Sequence, residues 1–399
     1  MKSIFIISVF VLGTIAAPFY LCAQKADSTI QFEFYGDSIR FEISKSFIVE
    51  FDDLSEEGIK LFHEKVFSTN NASLLNALKR YKSLYKADDW LYYQLIRKAA
   101  QQISPKEDNY NRYTLYKWFL LTQSGYDAIL THAGDQLLFY VRSNENIYNI
   151  PFRTKNNKQY VCLNYHDYTN VDFEKYSFKE IIVEGVQATK IFSYKITQLP
   201  AFRPENYLEK DIRFNYHDHD YHFKVKLNPD VKTIFANYPV LDYEYYFNIP
   251  LSRETYSTLI PVLKENTIAL SMTRGVDYLM RFTRYAFLFE KDSLSFGSEK
   301  RLSPEQTLLY EYSDCEDRAA LFFYLVKEIY NLPMIVLTFP THVTIAVQFD
   351  KPIGKPILYN GKRYTICEPT PQRKDLRMGQ IISKLRKTPY EVAYVYDPQ

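Results

Sequence analysis

The chain has 399 residues, and 49 basic against 47 acidic side chains leave a net charge of only +2, with no basic tail and no run of six like charges. That balance removes the electrostatic reason to expect a nucleic-acid partner. With 46% hydrophobic residues the chain is long enough to bury two cores, since domains commonly hold about 100 to 200 residues each.

At the start of the chain, Lys2 precedes a mostly apolar run over 4–17, and then come Pro18, Tyr20 and a Leu21-Cys22-Ala23-Gln24 junction. This order predicts a secretory signal peptide over 1–24, cleaved near Ala23 or Gln24. The run is shorter than the roughly 18 apolar residues that span a bilayer, and no later segment is apolar for as long. The mature chain is therefore expected to carry no transmembrane segment and to be periplasmic, extracellular or envelope-associated. Its tyrosine-rich composition, 36 Tyr and 29 Phe, fits exported β structure, because aromatic side chains suit a pleated, half-buried surface. Loss of Cys22 leaves Cys162, Cys315 and Cys367, an odd set in which at least one thiol stays free. With no CxxC or HExxH pattern, neither a metal nor a cofactor is expected.

The chain carries an internal similarity. Ile30-Gln31-Phe32-Glu33-Phe34 matches Ile212-Arg213-Phe214-Asn215-Tyr216 at an offset of 182 residues. Further matches follow in the same order: 73–79 with 258–264, 89–91 with 277–279, 125–141 with 331–347, and 158–160 with 362–364. We read two tandem repeats, 25–205 and 206–399, joined near Pro200 and Pro204. Each is predicted to open with period-two antiparallel strands (31–42 and 213–226). Helices with three- and four-residue apolar spacing follow over 74–85, 90–102, 259–270 and 277–289. A core helix, a hairpin and a further strand complete an α+β architecture.

The reactive residue types concentrate in the second repeat. Ser313 followed by Glu316 predicts a capping box with Ser313 as N-cap, placing Cys315 in the first turn of a helix. The positive helix end lowers a thiol pKa, while Asp314, Glu316 and Asp317 oppose it, so a histidine must complete the activation. A strand over 334–339, a Pro340-Thr341 turn and a strand over 342–349 put His342 at a strand start. A third strand over 363–368 stops at Pro369, with Glu368 at its end able to orient an imidazole.

Asp314-Cys315-Glu316-Asp317, then His342 opening a strand, then Cys367-Glu368-Pro369-Thr370 resemble the Cys, His and Asp motifs of transglutaminase-like domains of the papain-type cysteine enzymes, and Gly379 resembles the glycine after the last motif. The resemblance covers about 277–380, within a catalytic domain of about 270–380. It implies a catalytic triad of Cys315, His342 and Glu368. Ser313 stands where glycine is usual, and Glu368 where aspartate is usual; the longer carboxylate still accepts from an imidazole N–H. Gln306 is the candidate second oxyanion donor beside the Cys315 backbone N–H.

In the first repeat the aligned positions are Asn109, Gln136 and Asn164, none of which supplies a thiolate, a base or an anionic orienter, so that copy reads as degenerate. His217, Asp218, His219, Asp220 and His222 read as a hairpin turn rather than a metal site, because His222 points away from the other two histidines. Asp52 and Asp53 read as an acidic helix N-terminus. Two functions remain open. One is an exported cysteine enzyme acting on a peptide or carboxamide bond of a peptide or protein substrate, with hydrolysis favoured over cross-linking because water is in excess. The other is a non-catalytic envelope protein that binds or scaffolds.

Overall fold

The computed structural model describes residues 28–168, 171, 177–286, 288–289 and 301–398, so the expected signal peptide lies outside the described residues. It is a mixed α+β protein. A hairpin of β1 (Ser28–Phe34) and β2 (Asp37–Ile43) opens the described chain. Its two-residue turn, Tyr35 and Gly36, has φ of +48° and +106°, the left-handed geometry that a tight hairpin turn demands.

Four helices follow: α1 (Glu56–Phe67), α2 (Ala72–Leu84), α3 (Asp89–Ile103) and α4 (Tyr110–Gln123). The start of α1 follows from its chemistry. Ser55 Oγ accepts from the Gly58 N–H, while Asp53 takes both the N–H and the hydroxyl of Ser55, so Asp53 serves the helix terminus.

Next come β3 (Ala128–Ala133), β4 (Gln136–Arg142), β5 (Phe152–Lys155), β6 (Lys158–Cys162) and β7 (Lys179–Ile181), which form one antiparallel sheet in the order β5-β6-β4-β3-β7. A short 3-10 turn, Pro204–Asn206, leads to the long hairpin β8 (Leu208–Tyr216) and β9 (His219–Leu227). His217 and Asp218 are its turn, with φ of +46° and +59°.

Among the described residues the later helices are α5 (Asp230–Ile234), α6 (Tyr243–Phe247), α7 (Arg253–Thr267), α8 (Met272–Tyr285), α9 (Pro304–Leu309) and α10 (Cys315–Tyr330). A parallel pair, β10 (Leu288–Phe289) and β11 (Tyr312–Ser313), precedes α10. The second five-stranded sheet is built of β12 (Met334–Phe339), β13 (His342–Val347), β14 (Ile357–Tyr359), β15 (Lys362–Cys367) and β16 (Glu391–Tyr396). It too is antiparallel, in the order β14-β15-β13-β12-β16.

Two expectations about helix limits are corrected. The helix read over 277–289 runs Met272–Tyr285, and Phe289 lies in a strand. Arg318 Nη1 donates to the carbonyls of Thr283 and Arg284, taking acceptors that another turn of α8 would need. The N-cap of α10 is Asp314, not Ser313, which ends β11 instead. Asp314 Oδ1 accepts from the N–H groups of Glu316 (2.8 Å) and Asp317 (3.2 Å), and Asp317 Oδ2 accepts from the Asp314 N–H (3.2 Å). The carboxylate pair closes the box one residue later than a Ser–Glu pair would.

One apolar core runs through both sheets, from Phe32 and Trp90 to Phe247 and Val347. Trp90 Nε1 donates to the Ile234 carbonyl (2.8 Å), and Ile147 bridges to Leu241, so the stretches on either side of Pro204 pack directly together. Among the described residues no helix is long and apolar enough to cross a membrane.

Candidate functional site

Cys315 is the first residue of α10, directly after the Asp314 cap, and it is partly exposed. His342 opens β13, paired with Phe339 across the tight turn from β12. Glu368 follows the last residue of β15. Since β15 pairs with β13 and α10 packs on β13, the helix start, strand start and strand end meet at one edge of the sheet.

His342 Nε2 lies 2.8 Å from Glu368 Oε2, and both side chains are buried. A carboxylate only accepts, so Nε2 is the donor of this contact and Nδ1 is the ring nitrogen not used by Glu368. The other carboxylate oxygen accepts from the Thr370 N–H at 2.9 Å. The backbone N–H of Val343, the residue after His342, lies close enough to act on the Cys315 thiol, which puts the sulfur near the start of β13.

Burial pushes the Cys315 thiol well above its ordinary range; the charge of Asp314 adds to this, with Glu316 and Glu368 contributing, while the Val343 N–H pulls the other way. The helix end does not prevail because Asp314 itself occupies the first-turn N–H groups whose positive end would otherwise favour a thiolate. Asp317 is turned inward, where Oδ1 accepts from the Leu302 N–H at 2.9 Å. Glu316 is held by Arg301 Nε and the Tyr243 hydroxyl, each at 2.8 Å.

Gln306 is fully buried in α9. Its Oε1 accepts from the Ser303 N–H in a second capping box, while Nε2 has no hydrogen-bond partner. The carboxamide is thus fixed at one end with its donor free. Cys162 and Cys367 are fully buried, and burial pushes the Cys162 thiol up to about 12 and raises Cys367 as well. Their full burial, where Cys315 is partly exposed, marks them as packing thiols.

Several residues that hold this edge together carry no signal in the sequence. Arg284, 2% exposed on α8, donates through Nε (2.8 Å) and Nη2 (2.6 Å) to the Glu368 carbonyl and through Nη1 to Asp375 Oδ1 and the Leu376 carbonyl. Asp375 also accepts from Tyr285 and pairs with Arg281. These residues come from separate stretches of chain, so no local pattern announces them; Thr370 alone stands inside a recognisable motif. No family model, curated protein or solved structure matches the chain.

Proposed function

We propose that the protein is a transglutaminase-like cysteine enzyme that cleaves a peptide or carboxamide bond, with Cys315 as nucleophile, His342 as base and Glu368 as orienter of His342. The observation that carries this reading is the 2.8 Å contact of His342 Nε2 with Glu368, joined to the placement of the Cys315 thiol near the Val343 N–H. With Nε2 committed to Glu368, Nδ1 is the ring nitrogen left for the thiol.

In this mechanism the Cys315 proton passes to His342 Nδ1 as the sulfur adds to the carbonyl carbon. The imidazolium then protonates the departing amine as the carbon–nitrogen bond breaks, leaving a thioester. Water, deprotonated by Nδ1, attacks the thioester, and the proton returns to the sulfur as the acid leaves. The raised thiol pKa fits a proton that moves only when substrate is in place, rather than a resting thiolate.

The chain is read as a tandem duplication whose first copy has lost its chemistry. Support comes from the sequence matches and from the identical relative strand order of the two sheets. Gln136 opens β4 as His342 opens β13, and Asn164 is buried beyond the end of β6 as Glu368 is beyond β15. When the two helices are aligned by their caps, Asn109 falls opposite Asp314, so Tyr110 rather than Asn109 corresponds to Cys315.

The upward push on the thiol favours the second reading, an envelope binding or scaffold protein that keeps the fold. Treating the folded chain with iodoacetamide or a peptide-like electrophile at neutral pH and mapping the modified thiol separates the two. Labelling of Cys315 ahead of Cys162 and Cys367, abolished in His342→Ala, is the outcome expected of the enzyme; labelling indifferent to His342 returns the protein to the binding class.

A further inference from the structure

A cleft that shares no lining residue with the Cys315 edge lies where the first hairpin, α3, the Pro204 turn and α5 meet. Its volume is about 630 Å³. Tyr35 reaches it from the hairpin turn, Arg97 and Lys98 from α3, Lys106 from the segment after α3, Arg203 from before the turn, and Asp230 from the start of α5. Arg203 pairs with Glu33, which fixes the hairpin to this edge.

The charges on its α3 side do not cancel. One buried carboxylate, Asp167, accepts from Lys106, lies 3.8 Å from the buried Lys117 ammonium, and is felt by Arg97 at longer range. Lys106 and Arg97 thus share one anion with Lys117, whose proton burial holds only weakly. Among the described residues Arg97 makes no ion pair, although most of its side chain is covered; Nη1 donates to Gln94 Oε1 at 3.0 Å, and Tyr113 lies beside it. A largely desolvated guanidinium with unused donors facing a cleft is built for a planar anion, because its fork matches a carboxylate in two parallel hydrogen bonds. Asp230, which lines the cleft from α5, limits the charge that the site accepts: a dianion gains Arg97 and meets Asp230, whereas a single carboxylate placed against Arg97 leaves the Asp230 side for neutral polar groups.

We propose that this cleft binds a ligand carrying a carboxylate, held by the Arg97 guanidinium with Lys98 at the rim. The site shares no residue with the Cys315 edge, so it stands or falls independently of the enzymatic reading. The chemistry fits a small free acid and the carboxyl end of a peptide alike, and the choice of probes separates them.

The full chain is titrated calorimetrically with propanoate, with acetyl-alanyl-alanine, with the same dipeptide amidated, and with sulfate. Saturable binding of propanoate, of the free dipeptide, or of both is expected, with none by the amide; propanoate alone marks a free acid and the dipeptide alone a chain end. Arg97→Gln weakens binding about tenfold or more, the loss of a charge-assisted hydrogen-bond pair. Two surface variants act in opposite directions: Lys98→Glu weakens the carboxylate, and Asp230→Asn tightens it. They keep the test decisive even where Arg97→Gln disturbs folding. Binding of the amide or of sulfate as tight as the free acid, absence of saturation by either carboxylate, or indifference to Lys98→Glu and Asp230→Asn overturns the proposal.

Discussion

Asp314 caps the helix that carries Cys315 and at the same time opposes ionisation of the neighbouring thiol. The two roles separate in Asp314→Asn, because the amide oxygen still accepts from the first-turn N–H groups while the charge is gone. Stability should change by no more than about 1 kcal/mol, whereas the Cys315 alkylation rate at pH 7 should rise roughly threefold or more as the thiol pKa falls. A pH series of iodoacetamide rates checks both the size and the direction. If His342 is the base we propose, the same series in His342→Ala should lose about a hundredfold at pH 7 and recover only in alkali, since the part-buried thiol then lacks that base. The residue types were legible here: Cys, His and Glu in order, with strand and helix limits near enough to place them. The sign of the pKa shift was not, because it depends on how deeply the thiol is buried and on where Asp314 spends its hydrogen bonds.

The strand that delivers Glu368 is held by elements far away in the chain. Gly379 donates its N–H to the Ile366 carbonyl of β15 (2.8 Å) at a φ of +78°, and a Cβ there would sit 2.3 Å from the Ile353 carbonyl oxygen. Gly379→Ala therefore meets both a left-handed backbone and a backbone clash, and should cost roughly 2 to 4 kcal/mol in a denaturant melt. Arg284 braces the same strand end from α8. Arg284→Met removes several hydrogen bonds from a buried site and should cost about 2 to 4 kcal/mol as well. A useful control is Asp375→Asn, which leaves the Arg284 bonds to Glu368 in place and should be milder. Gly379 was visible in the sequence as part of the resemblance; Arg284 and Asp375 were not, because a buried arginine is indistinguishable from a surface one until its helix is packed.

Over the whole molecule, the stretches before and after Pro204 share one core, and Trp90 contributes both its ring and its N–H to the joint. Trp90→Ala should cost about 3 to 5 kcal/mol, and hydrogen exchange should show protection falling in both five-stranded sheets together. Exchange confined to the first sheet would mean that the two parts unfold separately. Lys117 makes a second global prediction. It is fully buried, and burial lowers its pKa from the ordinary 10.5 to about 7. Between those values the unfolded chain holds a proton that the native chain has released, so this group makes stability rise with pH across that window, by about 1.4 kcal/mol per pH unit at most. Below about 7 both states are protonated and the cost of burying the charge is constant. Lys117→Met should flatten the slope between pH 7 and about 9 and stabilise the protein most at the acid end, as unfolding midpoints at three or four pH values will record.

The sequence by itself determined the α+β class, the β-hairpins with their turn residues, the alternation of helix and strand, and the order of Cys315, His342 and Glu368, because each is written in local periodicity, capping chemistry or turn preference. Its expectation of Ser313 as cap failed since two neighbouring side chains competed for the same helix start, and Asp314 with Asp317 made the better box. Only the tertiary structure decided that Arg284 grips the Glu368 carbonyl, that the thiol is pushed upward instead of downward, and that Arg97 faces a cleft with no ion-pair partner among the described residues. Each of these depends on burial and on approach between distant stretches of chain, and the energy of a charge is set by the groups that close around it rather than by its neighbours in the sequence.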